Sequence, residues 1–256
     1  RRRTLSLRER QSIAGRMQRA VLTLPPGAAC FLANIYALMR GLLLPWQKRR
    51  TTRGERAASA ALRELLQAND GRGYFATDQF TRGDDVYTDA SKAPRYAGGG
   101  YVSQDGRYRF WRYGASAARQ PIDFLEGDTV VLAVADLAGR WRGQKVRFHI
   151  DNQSFQKSAV KSWSRAERLT LLLRRLFTLV LQSGCVLEFE WISTVDNVLA
   201  DHLSRSDGEQ RFLGAVEAMG FLRPGVALVR HGACGALRQL GGEYSSNVDK
   251  DGPQQG

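Results

Sequence analysis

Between Asp85 and Tyr113 the chain leaves no room for anything but strands and tight turns. Asp85–Asp89 is rich in β-branched and aromatic residues, Ala97–Ser103 follows with three glycines at its start, and Arg107–Tyr113 (RYRFWRY) alternates. Gln104-Asp105-Gly106 supplies hairpin-turn chemistry between the second and third runs. Three hairpin-linked strands bury one face at most, so they need helices and further strands. The sequence supplies them as a helix over Phe124–Ala138, a strand over Lys145–Ile150, a helix over Ser164–Gln182, a strand over Val186–Ile192 and a short helix over Asn197–Ser204. Strands joined through helices run parallel within one sheet, so the spacing predicts a five-stranded mixed sheet flanked by helices. The long helix has Ser164-Arg-Ala-Glu167 as an expected capping box and Leu169, Leu172, Leu173, Leu176 and Val180 as its core face, which leaves Arg174–Arg175 to solvent or substrate. Tyr101, Tyr108, Phe110, Trp111 and Tyr113 are expected to pack, with Trp111 the one candidate for stacking on a base.

The residues before this region have a different character. Residues 1–75 carry fifteen Lys and Arg against four Asp and Glu, a surplus of eleven, whereas the whole chain carries +13. Helical spacing recurs at 5–20, at 28–43 up to Pro45 and at 53–69, broken by Pro25-Pro26-Gly27 and closed by the DGRG at 70–73. A basic, all-helical segment of this kind points to a polyanion partner, with Arg16, Arg19, Arg49, Arg50 and Arg53 as candidate phosphate contacts. The apolar run Gly27–Pro45 is interrupted by Asn34 and Arg40 and reads as a buried helix, not a membrane span. Three scattered cysteines (Cys30, Cys185, Cys234) form no disulfide framework, so a reducing compartment, cytoplasm or nucleus, is expected. The chain opens on Arg1 and is expected to be a piece of a longer product. After residue 206 a helix over Glu209–Gly220 and a Gly-rich, disordered tail are expected.

The chemistry lies in where the acids fall. Asp89 ends one strand run and Asp151 ends another, in HIDNQS. If those strands pair in parallel, two carboxylates about 4 Å apart repel by roughly 4 kcal/mol at an effective dielectric of 20. A divalent cation with oxygen ligands relieves that repulsion. Glu126 opens the first helix and Asp201 lies on the last; taken singly, the first reads as a capping-box acid with Asp123 and the second as a solvated helix residue.

Taken together, the order Asp–Glu–Asp–Asp in YTDAS, LEGDTVVLA, HIDNQS and NVLADHLSR resembles the ribonuclease H family over about residues 84–206. More narrowly it resembles the ribonuclease H-like domain of reverse transcriptases from DIRS-like retroelements. GRMQRAVLTLPPGAACFLANIYALMRG is similar to the thumb or connection segment before that nuclease, which gives three expected parts: 1–75, 84–206 and 207–256. The resemblance implies two Mg²⁺ ions, with Mn²⁺ as substitute, held by Asp89, Glu126, Asp151 and Asp201, and cleavage of the RNA strand of an RNA–DNA hybrid. Asp89 and Asp151 would be the central ligands, Glu126 would bind one metal and Asp201 the other. Two such ions can hold the attacking and leaving oxygens of an in-line displacement.

The chain departs from the family in one place. A histidine often stands ten residues before the last Asp, and here that position is Trp191. His202 points away on its helix and His149 reads as a packed strand residue. Loss of an acid–base helper typically costs about 10²–10⁴-fold, so a weak or inactive nucleic-acid-binding module is the alternative. An integrase-like reading would need a metal-binding Glu on the long helix, where Glu167 is the candidate. Asp84-Asp85 reads as a solvated strand start, not a polymerase aspartate pair, so polymerase domains would lie upstream in a parent polyprotein.

Overall fold

The computed structural model describes residues 4–24, 27–68 and 80–232. Pro25–Pro26, the DGRG stop, Cys234 and the Gly-rich tail lie outside the described residues. The N-terminal segment is not all helix. It runs β1 (Thr4–Ser6), α1 (Leu7–Val21), a 3-10 turn (Ala28–Leu32), α2 (Ala33–Met39), β2 (Lys48–Arg50) and α3 (Arg53–Ala68), with β1 and β2 antiparallel. The reason is local. Ser6 caps α1 in a capping box with Glu9, so the residues before it must be extended, and Pro45 prevents a helix from continuing into Lys48–Arg50. The buried Arg10–Glu55 ion pair and a bond from Arg10 to the Arg49 carbonyl (2.8 Å) tie α1 to β2 and α3. The apolar run after Gly27 splits into the 3-10 turn and α2, and Gly41 takes a left-handed φ of 76° soon after.

The sheet that follows contains β3 (Thr81–Ala93), β4 (Tyr96–Ser103), β5 (Arg107–Arg112), β6 (Gln144–Ile150), β7 (Val186–Trp191) and β8 (Val229–Arg230), in the order β7-β6-β3-β4-β5-β8. β3–β4 and β4–β5 are antiparallel; β3–β6 and β6–β7 are parallel. This is the expected mixed α/β architecture, a mixed sheet flanked by helices, with six strands instead of five. The sixth, β8, covers the β5 edge, where Val229 and His231 donate to the Gly106 and Tyr108 carbonyls at 2.8 Å. Two residues carry no readable period, which is why the sequence does not announce it.

Around the sheet lie α4 (Ala115–Ala118), α5 (Ile122–Leu137), α6 (Gln153–Val160), α7 (Glu167–Ser183), α8 (Val198–Ser204) and α9 (Gly208–Met219). Alternate residues of β3 and β6 (Val86, Ala90, Val146, Phe148, Ile150) face α5 and α7 in the main core. Helix α5 lies between sheet and α7 and is buried nearly all round. Leu24, Phe31 and Leu62 of the basic segment join the same core, so the helices before residue 75 pack onto the sheet domain. The opposite face packs Val102 and Tyr108 against α8 and α9 through Leu199, Leu203, Phe212 and Val216.

Several local expectations change. Helix α7 starts at Glu167 with Ala166 at its N-cap, and Ser164 accepts from Ala166 N (3.2 Å), so there is no capping box. Helix α6, capped by Asn152 on Phe155 N (3.0 Å), buries only Phe155 and Ala159, too few apolar residues for its period to show in the sequence. Arg174 and Arg175 turn inward, to the Cys30 carbonyl (3.3 Å) and Asp128 (3.8 Å). Trp111 is buried with Tyr101 and Tyr113 and cannot stack on a base. No helix among the described residues is long and apolar enough to cross a membrane.

Candidate metal centre

The parallel register of β3 and β6 ends with Thr88 opposite Ile150, so Asp89 and Asp151 emerge side by side one residue later. Glu126 reaches them from the second turn of α5. That helix begins at Ile122 with Pro121 at its N-cap and no side-chain cap, so the expected Asp123–Glu126 capping box is absent and Glu126 points into the site. One carboxylate oxygen from each of Asp89, Glu126 and Asp151 lies within 4.8 Å of the others. Asp89 and Glu126 are both about 4% exposed, which makes three gathered charges costly unless a proton or a cation intervenes.

The proton affinities express that cost. Burial, with the Asp151 and Asp201 charges adding to it, pushes Asp89 up from 3.8 to about 7. Burial and then the Asp89 and Asp151 charges drive Glu126 well above the ordinary carboxylate range, and burial raises Asp151. Glu126 Oε2 and Asp151 Oδ1 are buried with no hydrogen-bond partner among the described residues. Hard oxygen donors, three converging carboxylates and orphaned acceptor atoms fit Mg²⁺ or Mn²⁺.

The surrounding side chains hold the acids in place. Thr194 Oγ1 donates to Asp151 Oδ2 (3.1 Å), and the Trp191 indole N–H donates to the Asp151 carbonyl (2.9 Å). Buried Asn197 donates to the Thr88 carbonyl (3.0 Å), which fixes the start of α8 beside Asp89. Helix α8 rests directly on β4. A Cβ at Gly98 would meet the Ser204 carbonyl at 2.2 Å, and one at Gly100 would meet Leu203 Cβ at 2.5 Å. The glycine run is therefore what lets Asp201 approach.

Asp201 lines the same cavity, about 730 Å³, as Asp89, Glu126 and Asp151 but lies outside the cluster of three. Its two oxygens accept from Arg205, with Nε at 3.0 and 2.9 Å. Arg205 escapes a reading that looks only for acids, although its four-residue spacing from Asp201 is a sequence signal for an ion pair on a helix. Glu167 is exposed and does not line the cavity.

The candidate phosphate contacts of the basic segment lie away from the acidic cavity. None of Arg16, Arg19, Arg49, Arg50 and Arg53 lines the acidic cavity or the groove beside it. Arg16 bonds back to Ser12, and Arg49 bonds to the Arg40 carbonyl (3.1 Å). The groove, about 810 Å³, instead presents Lys92, Arg95, Arg112 and Arg119, and shares Lys92, Ala93 and Tyr96 with the acidic cavity. Asp84 and Asp85 are buried, not solvated, because β3 bulges between Arg82 and Asp85. His149, packed as expected, takes up Asp85 at 3.0 Å and stacks on Tyr87.

No protein-family profile matches the chain, and no curated protein matches it. Solved structures do. RNase H1 from the halophilic archaeon Halobacterium salinarum is 18% identical, with 52% of this chain and 98% of that chain covered and a TM-score of 0.41. LC11-RNase H1 in complex with an RNA/DNA hybrid is 16% identical, with 50% and 99% covered and a TM-score of 0.44. The N-terminal RNase H domain of rv2228c from Mycobacterium tuberculosis, solved as a fusion, is 16% identical, with 53% and 97% covered and a TM-score of 0.41.

Proposed function

We propose that the chain is a metal-dependent endonuclease that hydrolyses the RNA strand of RNA–DNA hybrids, as the nuclease portion of a retroelement reverse transcriptase. The convergence of Asp89, Glu126 and Asp151 carries the reading, because three carboxylates gather there and Glu126 Oε2 and Asp151 Oδ1 have no hydrogen-bond partner among the described residues. Asp89, Glu126 and Asp151 would hold a divalent cation, and Asp201 would complete the set. A bound cation would supply Lewis-acid stabilisation of the phosphoryl oxygens and orient a water for in-line attack. The chain's own part is placement. Thr194 and Trp191 fix Asp151, Asn197 fixes α8, and the groove of Lys92, Arg95, Arg112 and Arg119 gives phosphates a path into the acidic cavity.

Two observations favour the alternative, a weak or inactive binding module: Trp191 occupies the usual histidine position, and Arg205 covers Asp201. Incubation with a labelled hybrid and Mg²⁺ or Mn²⁺ separates the two. Cuts that need metal and vanish in Asp151→Asn support the nuclease; tight binding with no cuts by either protein supports the module.

A further inference from the structure

The fourth carboxylate is not presented as the first three are. Asp89, Glu126 and Asp151 converge, with buried oxygens on Glu126 and Asp151 that have no hydrogen-bond partner among the described residues. Asp201 has both oxygens engaged by one guanidinium, through Nε and a terminal nitrogen of Arg205. The pair lies at the wall of the acidic cavity, where Arg205 is itself a lining residue. A second acid–arginine pair, Asp207 with Arg211 at 2.6 Å, lines the same wall.

The two partners differ in freedom. Asp201 is fixed by its helix, whose start Asn197 locks to β3 and whose end is held where Ser91 Oγ donates to the Ser204 carbonyl. Arg205 is the first residue past α8, in an extended conformation, and its side chain is about half exposed. A guanidinium on an exposed stem is worth little to a single carboxylate in water and exchanges readily for another oxyanion. A phosphodiester offers the same two-oxygen geometry.

We propose that Arg205 is a positioning residue that holds Asp201 in reserve, covering its oxygens in the free protein and transferring to a substrate phosphate when nucleic acid enters the cavity, so that Asp201 becomes a cation ligand only then. The inference rests on the metal-site reading above. On this account the free protein takes one cation strongly, at Asp89, Glu126 and Asp151. A second is admitted when the guanidinium leaves. No bond to carbon or phosphorus changes; one ion pair is exchanged for another.

The test is Mn²⁺ binding, followed by electron paramagnetic resonance and titration calorimetry, with and without a hybrid whose RNA strand is 2′-O-methylated and cannot be cut. In the free wild type one Mn²⁺ binds well and a second at least tenfold more weakly. Arg205→Gln tightens the second site about tenfold without nucleic acid, Arg205→Lys falls between, and the double variant Arg205→Gln/Asp201→Asn loses the gain. Adding the hybrid tightens the second site in wild type and makes little further difference in Arg205→Gln. A second-site affinity in Arg205→Gln within twofold of wild type overturns the proposal, as does a gain that survives Asp201→Asn. Asp151→Asn serves as the separate control: if it binds the first Mn²⁺ as wild type does, the metal-site reading falls and this proposal with it. If the first ion is lost in Asp151→Asn but Arg205→Gln changes nothing, only the role of Arg205 is refuted.

Discussion

The indole N–H of Trp191 donates to the backbone carbonyl of Asp151 across 2.9 Å. Trp191 therefore serves as a strut under a proposed metal ligand. A hydrogen bond of this kind is worth about 1 kcal/mol net. Trp191→Phe, which keeps the ring and removes the donor, should weaken Mn²⁺ binding roughly fivefold by calorimetry and leave folding intact. Unchanged affinity would show that Thr194 alone fixes Asp151.

The raised proton affinities set a pH dependence with a definite sign. Asp89 at about 7, against 3.8 for a free aspartate, means that the folded state holds a proton the unfolded state has released. In EDTA, stability should be greatest near about pH 4 and fall as pH rises to about 7, with Glu126 carrying the decline further. Buried Asp84 and Asp128, each held at about 6, add to the same decline without touching the metal site. The informative quantity is thus the difference in Tm between Mg²⁺ and EDTA. Because the cation displaces protons, that difference should grow from pH 5 to pH 8; a flat difference would contradict a metal held by these acids.

Removing one charge should trade function for stability. Asp89→Asn relieves repulsion among three buried acids, so the metal-free protein should melt a few degrees higher at pH 8. The same variant should lose the stabilisation by Mg²⁺ and all hybrid cleavage. Paired melting curves with EDTA and Mg²⁺ check both halves.

The glycines beneath α8 make a steric prediction. Gly100 is the register partner of Asp89, and a methyl group there would press on Leu203. Gly100→Ala should cost about 1–3 kcal/mol, lowering Tm by on the order of 5 °C, and should displace Asp201. Thermal melting together with second-site Mn²⁺ affinity would report both effects.

The gathering of Asp89, Glu126 and Asp151 was legible in the sequence, and the groove lined by Lys92, Arg95, Arg112 and Arg119 was not. Asp89 and Asp151 could be brought together on paper because helix-linked strands run parallel and each acid directly follows a strand run. The role of Glu126 depended on the helix start: once Ile122 begins the helix, position 126 faces inward instead of capping. The charge count drew attention to Arg16, Arg19, Arg49, Arg50 and Arg53, which are close in sequence. Lys92, Arg95, Arg112 and Arg119 are scattered, and only the β3–β4 hairpin and the turn into α4 gather them into one groove. The bulge beside Asp84 has one residue signature, Gly83, where a Cβ would meet the Gln144 side chain, but the glycine alone does not reveal the pairing of β3 with β6.

That difference is itself measurable. Arg95→Ala and Arg119→Ala should each weaken hybrid binding and reduce the slope of log K against log salt by about 1. Arg16→Ala and Arg19→Ala should change the slope less, because neither side chain lines the groove or the acidic cavity. Fluorescence anisotropy across a salt series compares the two pairs, and the reverse ranking would move the duplex onto the basic helical segment.

The central claim, that Asp89, Glu126 and Asp151 together hold a divalent cation, is tested most directly by anomalous diffraction from crystals of the full chain soaked in Mn²⁺. The account predicts a peak coordinated by one oxygen from each of the three, at about 2.1–2.3 Å. A fully occupied peak elsewhere, or none in this cluster at saturating Mn²⁺, would contradict it.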